Sequence, residues 1–187
     1  MPSNDRVNVA AITIDQGLCV LEFPNLCVLD WDYRSSRVSK SESSGSITID
    51  KPADAYGILA LSVMQRPQER WVTYQTYGGI RALLTSTPVA ADSYEAGVIA
   101  ERLKPDEIYM KFCRERSAWA ARISPKPKRN RSEDTIDLVG MLGNGNHHPE
   151  MLRGARLHHL MLLENGMTTI PMPDLRAVSQ ISSNDPF

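Results

Sequence analysis

The chain has no apolar run of about 18 residues, the length a membrane-crossing helix needs. Its opening stretch, Met1 to Arg6, is polar and holds no signal-like apolar core. The two absences together predict a cytoplasmic protein with no membrane partner. Cysteine is scarce: Cys19, Cys27 and Cys113 are odd in number and form no Cys-x-x-Cys pair. Free thiols are therefore expected in place of a disulfide framework or a zinc cluster. An excess of either charge is also lacking, the formal net charge being −1. Affinity for acidic partners has to come from a local patch, not from the chain as a whole. With 187 residues the sequence is long enough for one domain with a substantial core.

A patch of that kind is present. Between Lys111 and Arg131 lie Lys111, Arg114, Arg116, Arg122, Lys126, Lys128, Arg129 and Arg131, against the single acid Glu115. Such a cluster suits a polyanion, and it equally suits a solvated basic face.

The most distinctive stretch is Leu26-Cys27-Val28-Leu29-Asp30-Trp31-Asp32, an apolar run ending in two acids one residue apart. Side chains alternate faces along a strand, so Asp30 and Asp32 are expected on one face, about 7 Å apart along the backbone. Two neighbouring carboxylates repel unless a cation lies between them, and Mg²⁺ or Mn²⁺ is a natural partner. A strand end with two solvated acids is the other reading.

The remaining pattern alternates short strands and helices. Val9 to Ile14 and Leu18 to Phe23, around Asp15-Gln16-Gly17, predict a hairpin. The Ser-rich segment 35–46 predicts a mobile loop beside the acids. Pro52 opens a helix to about Gln65, with Tyr56, Leu59, Ala60, Val63 and Met64 on its apolar side. Trp71 to Thr76 and Ile80 to Thr85 flank Gly78-Gly79 as a second hairpin, which puts Arg81 on the face opposite Ile80, Ala82 and Leu84. Two helices follow, over 91–103 with Tyr94, Val98 and Ile99 inward, and from Pro105 to about Arg116.

Trp119 to Ile123 and Thr135 to Gly140 read as strands, separated by Ser124-Pro125-Lys126-Pro127-Lys128, in which proline blocks regular pairing. Pro149 to Leu163 reads as a helix with Leu152, Ala155, Leu160 and Leu163 as its core stripe. His147, His148, Glu150, His158 and His159 gather around that helix without the His-Glu-x-x-His spacing of a zinc site, so they are expected as capping and surface residues. The pattern as a whole predicts one α+β domain over 1–170, with a mixed or antiparallel sheet and flanking helices, and a disordered tail over 171–187.

The order of parts resembles the archaeo-eukaryotic primase superfamily, the primase-polymerases. The similarity rests on Asp30-x-Asp32, a following helix, the Thr76-x-Gly78-Gly79-x-Arg81 hairpin, a basic strand and a later strand bearing Asp137. It implies an RRM-like architecture in which Asp30, Asp32 and Asp137 hold two Mg²⁺ or Mn²⁺ ions for nucleotidyl transfer. Arg81 stands where that family usually has a histidine. Arg81, Arg122, Ser124, Lys126 and Lys128 would then contact phosphates of nucleotides or single-stranded nucleic acid, and Trp31 or Trp119 would stack a base. The stretch from 26 to 165 is also similar to a group of bacterial and phage-type proteins with no assigned activity. They share the Tyr74 to Arg81 hairpin, the Ala121 to Pro127 segment, Leu138 to Gly140 and His148 to Glu150. Two other functions suit the same residues: a non-catalytic binding module for nucleic acid or protein, and a metal-dependent nuclease or phosphohydrolase.

Overall fold

The computed structural model describes residues 10–14, 18–32, 52–125 and 134–171. The Ser-rich segment 35–46, Lys126 and Lys128, and the tail beyond Pro171 lie outside them. The fold is α+β, with two antiparallel sheets and, among the described residues, four helices.

The first sheet joins β1 (Ala10–Ile14), β2 (Leu18–Phe23) and β6 (Trp119–Arg122) in the order β1-β2-β6. The expected first hairpin is the β1–β2 pair, with Ala10 opposite Glu22 and Ile14 opposite Leu18. The second sheet has the order β3-β5-β4-β7, from β3 (Val28–Asp32), β4 (Trp71–Thr76), β5 (Gly79–Leu84) and β7 (Ile136–Leu142). Helix α1 (Pro52–Gln65) connects β3 to β4, and β5 turns back from β4 through Tyr77-Gly78 to lie between them. This is a split β-α-β unit. The β-branched and aromatic residues of β4 and β5 are buried on both faces of the sheet, as a central pair of strands requires.

Helices α2 (Tyr94–Leu103) and α3 (Glu107–Glu115) are each started by a side-chain cap. Ser93 Oγ accepts from Ala96 N, and Asp106 Oδ1 accepts from Tyr109 N at 2.7 Å. The Tyr109 hydroxyl lies 3.0 Å from both Val28 O on β3 and Ala120 O on β6. One side chain of α3 thus ties the edges of the two sheets together. Trp31 and Trp119 are interior: their indole N–H groups donate to Leu103 O and Val89 O, so neither ring is open to a base.

Several expected apolar stripes are rotated. Met64 and Tyr94 are exposed, while Ser62 of α1 and Ala96 of α2 take inward positions. Helix α4 (Pro149–Glu164) turns Met151, Gly154, Ala155, His158, His159 and Leu162 inward and leaves Leu160 exposed. His158 and His159 are therefore core residues, not surface ones.

Candidate functional site

The register of the second sheet decides which side chains can meet. Asp30 lies opposite Arg81, Arg81 opposite Tyr74, and Tyr74 opposite Leu138, so these four share one face. Trp31, Ile80, Gln75 and Asp137 form the adjacent cross-strand row and share the other face. Asp32, two residues after Asp30, returns to the Asp30 face at an exposed edge.

Asp137 is thus on the wrong face to join Asp30 and Asp32. It is also three strand spacings from β3, about 14 Å across the sheet. Its Oδ1 accepts from Thr168 Oγ1 at 3.2 Å. The expected convergence of three carboxylates does not occur.

Asp30 has a different partner. Arg81 Nε–H donates to Oδ1 at 2.8 Å and Nη2–H to Oδ2 at 2.9 Å, a fork-to-fork pair. Arg81 Nη1 also donates to Arg122 O at 2.9 Å and faces His158 Nε2 at 3.3 Å. Burial draws the guanidinium pKa down, but the neighbouring Asp30 charge and the hydrogen bonds to it outweigh burial and leave it raised. Arg81 is therefore not the phosphate clamp expected of it: it is buried, and its three nitrogens are committed within the protein.

Arg122 is also occupied. Its Nη1 and Nη2 donate to Asp134 Oδ2 and Oδ1 at 2.7 and 3.0 Å, and Nη1 reaches Ser124 O at 2.7 Å. Ser124 Oγ accepts from Cys19 N at 2.7 Å. Both residues lie at the start of the connection between β6 and β7, and the Arg122 guanidinium is taken up by Asp134 and Ser124 O instead of being left for a phosphate. Asp134 is fully buried, and the sequence reading did not find it.

Two histidines complete the cluster. A guanidinium has no acceptor, so His158 Nε2 must offer its lone pair to Arg81 and carry its proton on Nδ1. That Nδ1 is buried and has no hydrogen-bond partner among the described residues. His159 Nε2 lies 2.9 Å from Ile170 O, which can only accept, so Nδ1 is bare and accepts a hydrogen bond from the Tyr74 hydroxyl at 3.4 Å. Burial, then the Arg81 charge, then His159 push the His158 pKa well down; burial also lowers that of His159. Tyr74 is pushed upward by burial, so its hydroxyl keeps its proton.

Neutral histidines in the fold make it sensitive to acid. The unfolded chain takes up these protons near pH 6.5, while the folded chain holds them off to lower pH. Stability is therefore greatest above about pH 6.5 and falls with pH through that window. One histidine kept fully neutral costs about 2 kcal/mol of stability at pH 5, or roughly 4–8 °C in Tm for a chain of this size. Thermal melts between pH 7 and 5 should show that fall, and His158→Gln should make it shallower by the share of one histidine, leaving those of His147 and His159. A native profile that is flat over this range would contradict the buried neutral assignment.

The donor set does not fit the expected pair of Mg²⁺ or Mn²⁺ ions. Both Asp30 oxygens face a guanidinium whose charge would repel a divalent ion, and Asp137 is across the sheet. Among the described residues, no group of three or more His, Cys, Asp or Glu side chains is placed to hold a metal. What remains is an internal chain of bonded groups, Asp30–Arg81–Arg122–Asp134, whose last two members lie on either side of the 126–131 stretch in sequence. No family model matches the chain, and neither a curated protein nor a solved structure matches it.

Proposed function

We propose that the protein is a non-catalytic binding module for single-stranded nucleic acid. The reading is carried by the Asp30–Arg81 pair: the acid most needed for metal catalysis is neutralised by a buried fork that is itself fully bonded. The binding element is the β6–β7 connection, in which Lys126, Lys128, Arg129 and Arg131 fall within six residues. Two prolines, Pro125 and Pro127, restrict the backbone beside the two lysines. The connection leaves from Ser124 and returns at Asp134, and Arg122 bonds both. Four cations in a short stretch whose flanking residues are bonded together suit a phosphate backbone and need no base-specific contacts.

Binding should depend strongly on salt. If all four cations meet phosphates, a plot of log affinity against log salt has a slope of about −2.8. Fluorescence anisotropy with labelled single-stranded DNA carrying a 5′-hydroxyl measures it directly. Replacing the four by alanine should remove most of the slope and weaken binding at low salt by at least about tenfold. Equal affinity and slope in native and fourfold variant would end this reading.

One observation favours a second reading, nucleotidyl transfer of the primase-polymerase kind. Asp30 and Asp32 share a face, and β3, α1, β4 and β5 form the split unit that an RRM-like architecture contains. That reading requires Arg81 to release Asp30 when metal and nucleotide arrive. Incorporation of labelled nucleotides with Mn²⁺, lost in Asp30→Ala/Asp32→Ala, would favour it over the binding module. A shortened DNA product in the same assay would point instead to a nuclease.

A further inference from the structure

At the end of the second sheet away from the start of β7, a second group of polar side chains has buried atoms without partners among the described residues. Arg70, just before β4, is 7% exposed. A guanidinium carries five N–H donors, and the described residues give Arg70 one side-chain acceptor, Gly145 O, at 3.4 Å from Nη1. Its Nε is buried and unpartnered. No carboxylate pairs with Arg70 or with Arg156 of α4 among the described residues. The acid beside Arg70, Glu69, is engaged by Arg102 and by the Trp71 indole. A buried charge without a counterion is among the costliest groups in a fold, which marks this one as awaiting an anion.

His147 lies beside it with a tautomer fixed by its neighbours. Thr85 Oγ1 donates to Arg70 O at 3.1 Å, so toward His147 Nδ1, at 2.8 Å, it can only accept. Nδ1 therefore carries hydrogen, and Nε2, buried and unpartnered, is the atom free to gain a second proton. Thr85 after β5 bonds the ring at Nδ1, and the charges of Arg70 before β4 and Arg156 on α4 bear on it. Burial, then Arg70 and Arg156, lower the His147 pKa to about 4. His148 precedes α4 without a side-chain cap bond, and its Nδ1 is also buried and unpartnered. Glu150, the one acid in the first turn of α4, lines a shallow hollow with Phe23, Asn25 and Gly154.

The backbone holds the group in place. A Cβ on Gly145 would stand 1.8 Å from Gln68 O and one on Gly143 1.9 Å from Glu69 O, so only glycine lets this segment lie against residues 68–69. Asn144 N donates to Pro67 O, His148 N to Thr85 O, and Arg70 N to Ser86 Oγ. The positions of Arg70 and His147 are set by backbone on both sides.

We propose that Arg70, Arg156 and His147 form a binding site for a phosphate-type oxyanion where the 143–148 segment meets the start of α4. Arg70 offers Nε and its terminal nitrogens as a fork, and Arg156 adds charge. His147 takes a proton at Nε2 as the anion arrives and donates it to an anion oxygen, while Thr85 keeps the ring oriented. The positive charges of Arg70 and Arg156 acting on His147 argue against a metal cation here. The site is separate from the 126–131 connection and does not rest on that reading.

Calorimetry with sulfate tests the site, because sulfate keeps its charge across the range and leaves His147 as the titrating group. Affinity should be at least about tenfold higher near pH 5 than near pH 8, with uptake of a proton on binding. The carbon-bound ring protons of His147 should move downfield toward the imidazolium position on saturation. Arg156→Gln, on the half-buried flank of α4, should weaken binding at least about tenfold, and His147→Gln should remove the pH dependence. Inorganic phosphate and a 5′-phosphorylated oligonucleotide, compared at one pH, distinguish a free anion from a nucleic-acid end. No sulfate binding up to about 50 mM, or binding indifferent to pH and to Arg156→Gln, would overturn the proposal.

Discussion

Arg81→Met should cost about 3–5 kcal/mol of folding stability, read from urea unfolding of the native chain and the variant. The side chains of Arg81 and Asp30 are 4% and 21% exposed, so removing the cation leaves a carboxylate with little water to replace it. The same change frees Arg122 O and His158 Nε2, both of which lose a donor. Asp30→Leu combined with Arg81→Met removes both charges and should recover much of the loss, because an apolar pair of similar volume needs no desolvation. That recovery also serves if the single variant does not fold. A single-variant loss below about 1 kcal/mol would place the pair among solvent-exchanging surface bridges and contradict its structural role.

Asp134→Ala should be comparably damaging, again about 3–5 kcal/mol, since its side chain is 0% exposed and Arg122 13%. This variant has a second consequence that the first lacks. Arg122 would lose the carboxylate that brings the end of the basic connection back to its start, so single-stranded DNA affinity should fall even where the protein remains folded. Unfolding and anisotropy on the same preparation separate the two effects. Unchanged DNA affinity in folded Asp134→Ala would break the link between the buried pair and the binding element. The Arg116–Glu22 bridge is a useful contrast: at 37% and 16% exposure it should be worth no more than about 1 kcal/mol.

The elements that follow local rules were legible in the sequence. Alternation and turn residues located both hairpins, and Pro52 and Pro149 marked the starts of α1 and α4. The shared face of Asp30 and Asp32, and the placement of Arg81 opposite Ile80 and Ala82, also followed from a two-residue period. Asp137 was misplaced because its face is set by a long-range pairing, Gln75 opposite Asp137, that no local pattern announces. Helix α4 was read with the wrong stripe because Leu, Met and Ala occur all around it, so periodicity does not choose a face. The partners that turn inward, His158 and His159, follow the 3–4 spacing with Met151, Ala155 and Leu162 and were available as a signal. Asp134 offered none: it stands between a charged stretch and a strand, and only the return of Arg122 across the connection shows why it is buried.

Asp30 belongs either to Arg81 or to a metal, and the two states exclude each other. The Arg81 Nε–H resonance in a ¹H–¹⁵N spectrum reports on this directly, because a guanidinium held in a buried fork exchanges slowly with water. With Mn²⁺ added to equimolar concentration, this cross-peak should stay visible, protected and unbroadened. Its disappearance at stoichiometric Mn²⁺, reversed by chelation and absent in Asp30→Asn, would place a metal ion at the carboxylate and contradict the account.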